Sequence, residues 1–255
     1  MRMRRLSAVF VAVFGLSFML NMTAASAHYV YEKAFTWRSS VDCVDTRSEI
    51  SHGHGGGYSR ANSEITKRGY IPVVNQWRDC LSDFKRPAGY IHNQLALFRY
   101  AAPVDEWYRC SSWRSWYNSN TTARFDTYVY WGTTAPCGPG YYGTTGGGSE
   151  YNGVWHGGLI WSGNHYLPAA AKAAMTEDSA PTAPPWVKSD GTVDLGAQTP
   201  VSGPDGQVLM DGSGHPVMAP IASPIAPPGS NSPSDPGVRS YDASTDTETV
   251  VLDLP

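Results

Sequence analysis

The chain has 255 residues, a formal net charge of −3 and 16 % charged residues. A near-neutral balance with no basic run gives no electrostatic footprint for nucleic acid. Four cysteines and 12 % aromatic residues point instead to a small, cross-linked, ring-rich fold.

The N-terminus carries a basic start (Arg2, Arg4, Arg5), an apolar run from Leu6 to Leu20 and the small-x-small site Ala25-Ser26-Ala27. This is the pattern of a secretory signal over 1–27. The apolar run is shorter than the roughly 20 residues a membrane span needs. Cleavage would start the mature protein at His28, with 16 Lys+Arg against 22 Asp+Glu, a net of −6. The expected location is secreted and extracellular, with no membrane contact after cleavage.

Composition divides the remainder near residue 168. The first part holds all four cysteines and eight of nine tryptophans, and the second holds 13 of 19 prolines and most of the negative charge. The expectation is a β-rich domain over 28–168, then a low-complexity, acidic, Pro/Gly-rich and largely disordered tail over 169–255.

Within the domain, His28–Trp37 and Tyr90–Phe98 alternate in side-chain character, and Phe125–Trp131 is rich in strand formers. Gly153–Ser162 is apolar but interrupted by Gly157-Gly158, which suggests a bulge or a close backbone approach. Turn signals fall at Gly53 to Gly57, Pro87-Ala88-Gly89, Pro136 to Gly140 and Gly146 to Gly148. Helical periodicity is weak, and the nearest candidate is the alanine-rich run Pro168–Met175. The predicted class is all-β: an antiparallel sandwich or small barrel. In the tail, two Asp-Gly turns between short apolar runs suggest a weak hairpin over 201–218. Residues 219–237 read as extended and mobile.

Four cysteines in an exported chain read as two disulfides with three possible pairings. Sequential strands tend to be neighbours, which favours Cys43–Cys80 and Cys110–Cys137. No two cysteines have the short spacing of a zinc site.

Catalytic motifs are sparse. There is no Gly-x-Ser-x-Gly elbow and no His-Glu-x-x-His. The carboxylate pairs Asp42/Asp45 and Glu49/Glu64 are candidates for glycosidase chemistry, which needs two carboxyls about the bond. His28, as a mature N-terminus, would offer a ring nitrogen and an α-amino group to copper. In this, and in its β character, the chain resembles secreted copper-dependent polysaccharide monooxygenases. That resemblance implies a copper cofactor and a second histidine, with His52, His54, His92, His156 and His165 as the choices. His52-Gly-His54 is itself a candidate metal pair. His156 and His165 flank Trp161, and each reads as a buried histidine packed against tryptophan and bonded to backbone. No other cofactor is expected.

The aromatic crowding favours a non-enzymatic binding protein for glycan or a cell-surface partner. Trp113, Trp116, Tyr141, Tyr142, Trp155 and Trp161 are the predicted ligand-binding rings, with core packing as the competing explanation. A secreted antagonist or inhibitor is a third class that no residue favours. Arg47-Ser-Glu-Ile-Ser-His-Gly-His-Gly-Gly-Gly-Tyr58, Arg86-Pro-Ala-Gly-Tyr90 and Trp155-His-Gly-Gly-Leu-Ile-Trp-Ser-Gly-Asn-His-Tyr-Leu-Pro168 resemble small exported actinobacterial proteins over about 29–168. That resemblance implies export and carries no functional residues.

Overall fold

A computed structural model describes residues 28–53, 55–74, 76–167, 180–203, 206–230 and 234–254. The predicted leader over 1–27, the helix candidate at 168–175 and His54 lie outside them.

The described residues form an all-β fold. Its strands are β1 (His28–Arg38), β2 (Asp42–Gly53), β3 (Gly56–Ile71), β4 (Gln76–Asp83), β5 (Ile91–Ala101), β6 (Glu106–Arg109), β7 (Arg114–Tyr117), β8 (Arg124–Trp131), β9 (Gly140–Tyr151), β10 (Trp155–Trp161), β11 (His165–Leu167), β12 (Gln198–Pro200), β13 (Met218–Pro220), β14 (Val238–Asp242) and β15 (Thr247–Asp253). The first sheet runs β1-β2-β3-β8-β15-β14, with β4 also paired to β3. The second runs β10-β9-β5-β6, with β11 on β9 and β7 on β5.

Alternation places Val44, Ala61, Ile65, Phe125, Val129 and Val250 on the inner face of the first sheet. They meet Ile91, Leu95 and Trp116 of the second. Asn93 stitches the layers together, donating from Nδ2 to the carbonyls of Phe125 (2.7 Å) and Ala61 (3.2 Å). A buried amide must be paired in this way or cost stability.

The expected sandwich and both expected disulfides are present: Cys43–Cys80 and Cys110–Cys137, with Cα separations of 5.9 and 6.0 Å. On the chain-entropy model each closure contributes roughly 3.5–4 kcal/mol. The predicted strands at 28–37, 90–98, 125–131 and 153–162 correspond to β1, β5, β8 and β10.

Three expectations are corrected. Gly146-Gly147-Gly148 is not a turn; it lies inside β9. A Cβ on Gly148 would stand 2.2 Å from Ser63 Oγ, and one on Gly146 would stand 2.8 Å from Ser48 Oγ. These glycines let the two sheets approach. Gly157 serves the same need within its sheet, where a Cβ would meet the Gly148 carbonyl at 2.1 Å, the close approach expected there.

Secondly, the sheets are not wholly antiparallel, because β15 pairs in parallel with β8. That pairing is possible because more than a hundred residues separate the two strands, ample for a crossover.

Thirdly, the described residues of the extension are not a loose tail. They cover the outer face of the second sheet and then add two strands to the first. Trp186, Val193 and Ile221 bury Phe98, Trp107, Leu159 and Trp161. The expected hairpin appears as a small meander, with Leu209 N bonded to Val201 O and Val217 N bonded to Leu209 O. It docks beside β6 through Ser202 N on Arg109 O. The run beyond it is pinned too: Ala226 N donates to Tyr117 Oη, and Trp116 Nε1 donates to Pro236 O. Proline lacks a donor but keeps an acceptor, so a Pro-rich segment can be held through its carbonyls.

Candidate binding face and histidine cluster

The six rings expected to bind ligand are mostly structural. Trp116, Tyr142 and Trp161 are buried. Trp113 and Tyr141 are half-buried against the cluster that the extension covers. Trp155 is half-buried and donates from Nε1 to Ala226 O at 2.9 Å. They form no open platform: Trp116 and Tyr142 lie in the core between the sheets, and described residues of the extension pack over Trp113, Tyr141 and Trp161 and hold Trp155.

The open aromatic surface lies on the other sheet. Strand alternation and register put Tyr29, Tyr31, Lys33 and Phe35 of β1 outward. Beside them stand Ser51, Glu49, Arg47 and Asp45 of β2, then Tyr58, Arg60, Asn62 and Glu64 of β3. Tyr130, Tyr128, Asp126 and Arg124 of β8 complete the rows. Tyr29 and Tyr31 are 56 % and 46 % exposed and stack at 5.8 Å. Tyr128 and Tyr130 stack at 5.8 Å, with Tyr58 tilted against both. The sequence carried this signal: in Phe125–Trp131, Asp126, Tyr128 and Tyr130 share one face and Phe125, Thr127, Val129 and Trp131 the other. Density of tryptophan drew attention to the second sheet instead.

A charge network holds these rings in place. Arg60 grips Asp126 with two hydrogen bonds, Nε to Oδ1 at 2.9 Å and Nη2 to Oδ2 at 3.1 Å. Its guanidinium carbon lies 5.2 Å from the Tyr128 ring centre. Glu49, almost fully buried, accepts from Tyr58 Oη at 2.5 Å and pairs with Arg47 Nη2 at 2.6 Å. Arg47 in turn sits 4.0 Å over Tyr31. Bidentate and stacked arginines lose little freedom when a ligand arrives. Burial and the Glu49 carboxylate push the Tyr58 hydroxyl up to about 12, so it remains a proton donor at neutral pH.

The carboxylate pairs considered for hydrolysis do not converge. Asp45 pairs with Lys33 at 2.8 Å on the outer face, whereas Asp42 is buried beside Glu150. Glu64 pairs with Arg124 at 3.1 Å and Glu49 with its arginines. Asp45, Glu49 and Glu64 are each held by a cation, and Asp42 accepts from Ser39 Oγ.

At one end of the tyrosine face an open pocket of about 320 Å³ is lined by Ser51, His52, Tyr58, Tyr130 and Trp131 and floored by Gly53 and Gly55–Gly57. Gly57 admits the edge of Trp131; a Cβ there would stand 2.6 Å from the indole.

Three of the candidate histidines meet at this end. His28 and His52 are direct cross-strand partners, with ring centres 6.3 Å apart. His52 Nδ1 lies 2.6 Å from His165 Nε2. Burial, then the neighbouring imidazoles, lowers the His165 pKa to about 4; burial and His28 lower that of His52. His92 is apart from this group, fully buried and bonded to Ser115 Oγ at 2.6 Å. Of the two histidines expected to pack against tryptophan, His156 does so, stacking on Trp37 at 4.0 Å, whereas His165 turns toward His52. As the side chains stand, no group of three or more His, Cys, Asp or Glu among the described residues holds a metal geometry.

Among the described residues no helix is long and apolar enough to cross a membrane. No family model matches the sequence, no curated protein matches it, and no solved structure matches the fold.

Proposed function

We propose that the protein is an exported, non-catalytic glycan-binding protein, and that its binding surface is the outer tyrosine face of β1, β2, β3 and β8. The observation that carries this reading is the pair of stacked tyrosine ladders on the outer face of the first sheet, Tyr29/Tyr31 exposed and Tyr128/Tyr130 half-buried, set among fixed arginine, asparagine and carboxylate groups. A tyrosine offers a flat apolar ring with a polar tip at low entropic cost. A sugar presents the complement: a patch of C–H groups ringed by hydroxyls. Arg47, Arg60 and Asn62 supply donors, and Asp126, Glu64 and the Tyr58 oxygen, whose proton goes to Glu49, supply acceptors, on strands about 4.8 Å apart. The surface is open along the sheet, which suits a chain rather than a small molecule. Two disulfides and the leader sequence support export and a mature start at His28, the actinobacterial resemblance agreeing.

Material from culture fluid tests both halves. Intact mass is expected to correspond to residues 28–255 with both disulfides closed; a retained leader removes the export half. On a polysaccharide array the wild type is expected to be retained on at least one glycan. Tyr31→Ala and Tyr130→Ala are each expected to weaken that binding about tenfold, an effect of roughly 1.4 kcal/mol typical of interface aromatics. The exposed position of Tyr31 makes its loss harmless to folding. Retention on no glycan, or full retention by the double variant, overturns the reading.

A further inference from the structure

The outer tyrosine face stops at one row of residues, and what lies beyond that row bears on which part of a glycan it would take. Given the glycan-binding reading of this face, we infer that the pocket at its end receives the terminal residue of an uncharged sugar chain, so that the protein recognises chain ends rather than internal segments.

Three strands lose their side chains together at this end. In the last outward row, Ser51, Tyr58 and Tyr130 stand side by side on β2, β3 and β8. The next outward position on each strand is glycine: Gly53 and Gly56 face each other, and the Gly132 backbone adjoins Gly56. The face therefore steps down from tyrosine rings to bare backbone, and the pocket of about 320 Å³ lies at the step. That volume is at the small end of the range of about 300–1,000 Å³ for small-molecule sites, which fits a terminal ring better than a length of chain.

The fold itself requires only part of this glycine content. Gly56 has a φ of +137°, and a Cβ there would stand 2.2 Å from Trp131 O. Gly57 makes room for the Trp131 indole. Gly55, in the β2–β3 turn, and Gly132 meet no such demand: a Cβ at either finds nothing within 4 Å, and neither has a left-handed φ. Packing gives no reason for their lack of side chains, and the space they leave is open to a ligand.

The lining is polar without being charged. Its residues are serine, histidine, glycine, tyrosine and tryptophan, with no Lys, Arg, Asp or Glu among the described ones. Ser51 Oγ donates to His28 O at 3.0 Å and Tyr58 Oη donates to Glu49, so both keep lone pairs for the hydroxyls of a sugar. His52 Nδ1 is engaged by His165, which leaves Nε2 for a ligand. Burial, then His28, lowers the His52 pKa, so its ring is neutral at neutral pH. A terminal carboxylate or phosphate would give up water here with no cation to pair it. The Tyr130 ring supplies an apolar wall for C–H groups, and from it the rest of a chain would run along the tyrosine rows.

The test is calorimetric titration of the secreted chain with cello-, malto-, xylo-, manno- and chitohexaose, and with hexagalacturonate as the acidic probe. At least one neutral hexaose is expected to bind, and hexagalacturonate to bind at least about tenfold more weakly. Longer polymers of the sugar that binds are expected to compete less well per unit mass as their ends become rarer. Gly55→Leu, which places a side chain in the open space, and His52→Phe, which keeps a ring but not Nε2, are each expected to weaken hexaose binding about tenfold. Gly55→Ala is expected to stay near wild type. Near-ultraviolet circular dichroism checks each fold, and Gly55→Leu carries the test should His52→Phe not fold. Hexaose binding that Tyr31→Ala weakens and folded Gly55→Leu leaves unchanged overturns the pocket while the tyrosine face stands. Competition per unit mass that does not depend on chain length overturns end recognition, and equal binding of hexagalacturonate overturns the preference for uncharged sugars. Binding of no probe by the wild type removes the glycan reading and this inference with it.

Discussion

A chain ending at Gly237 is expected not to fold, although the deleted residues look expendable in sequence. They supply β14 and β15, and β15 lies between β8 and β14 inside the first sheet. Its loss strips Val250, wholly buried, and the packed Leu252 and Leu254 from the main core. Burying one such side chain contributes about 1.5–3 kcal/mol. It also bares the ladder edge of β8, most of whose residues are buried.

The largest single term is Glu248. Its fully buried carboxylate accepts from Ser119 N at 2.9 Å, Ser119 Oγ at 2.8 Å and Asn120 N at 2.8 Å, and pairs with Arg239 at 2.8 Å. Asp246 does likewise for Ala123 N at 3.1 Å and Lys85 at 2.9 Å. Removing one partner from a buried charged cluster costs about 3–5 kcal/mol. Against a total stability of about 5–15 kcal/mol, the deletion exceeds what the fold can lose. Glu248→Ala in the full chain is expected to lower stability by about 3–5 kcal/mol, with Glu248→Gln intermediate. Urea unfolding followed by tryptophan fluorescence reads all three. A truncated chain with a cooperative transition near that of wild type would show that β15 is an ornament rather than a structural strand.

The second large effect is on pH dependence. Glu150 is wholly buried next to Asp42 and Arg86, with His156 opposite it across the β9–β10 ladder. Burial is the chief influence on its carboxyl and the Asp42 charge adds to it. Arg86 opposes them from 3.2 Å, and the net result is a pKa pushed up to about 8. In the unfolded chain the same group titrates near about 4.3. Below that value both states hold the proton and Glu150 costs nothing. As pH rises through the interval, the unfolded chain releases its proton while the folded one retains it, so stability falls. Above about 8 the folded state ionises as well and the dependence ends.

Each unit of difference is worth about 1.4 kcal/mol. The wild type is therefore expected to lose a few kcal/mol between pH 5 and pH 8 through this one group. Glu150→Gln keeps the shape and the donor and cannot ionise. It is expected to be the more stable protein at pH 8, the two converging toward pH 4. Urea midpoints for both at several pH values check this. Parallel pH profiles would mean that Glu150 is charged in the fold and neutralised by Arg86.

The sequence by itself determined a good deal. Alternation located β1 and β5, because a strand writes its two faces into every second residue, and runs of strand formers and apolar residues located β8 and β10. The tendency of sequential elements to be neighbours was enough to favour the pairing that forms. Gly157 announced a close approach, since a strand interior tolerates glycine poorly without such a reason.

Only the tertiary structure decided which surfaces are covered. Alternation marks two faces of β5, β9 and β10 but cannot say that Trp186 and Ile221, far along the chain, will close over one of them. The tryptophans therefore looked like a platform, and the tyrosines of β8 looked like ordinary strand formers. Composition also misled on the extension: few apolar residues, each placed against a sheet already formed, suffice to order a segment that has no core of its own. The convergence of His28, His52 and His165 is legible nowhere in the one-dimensional record. It depends on strand register and on the return of β11 to β9, which are set by contacts between residues more than a hundred positions apart.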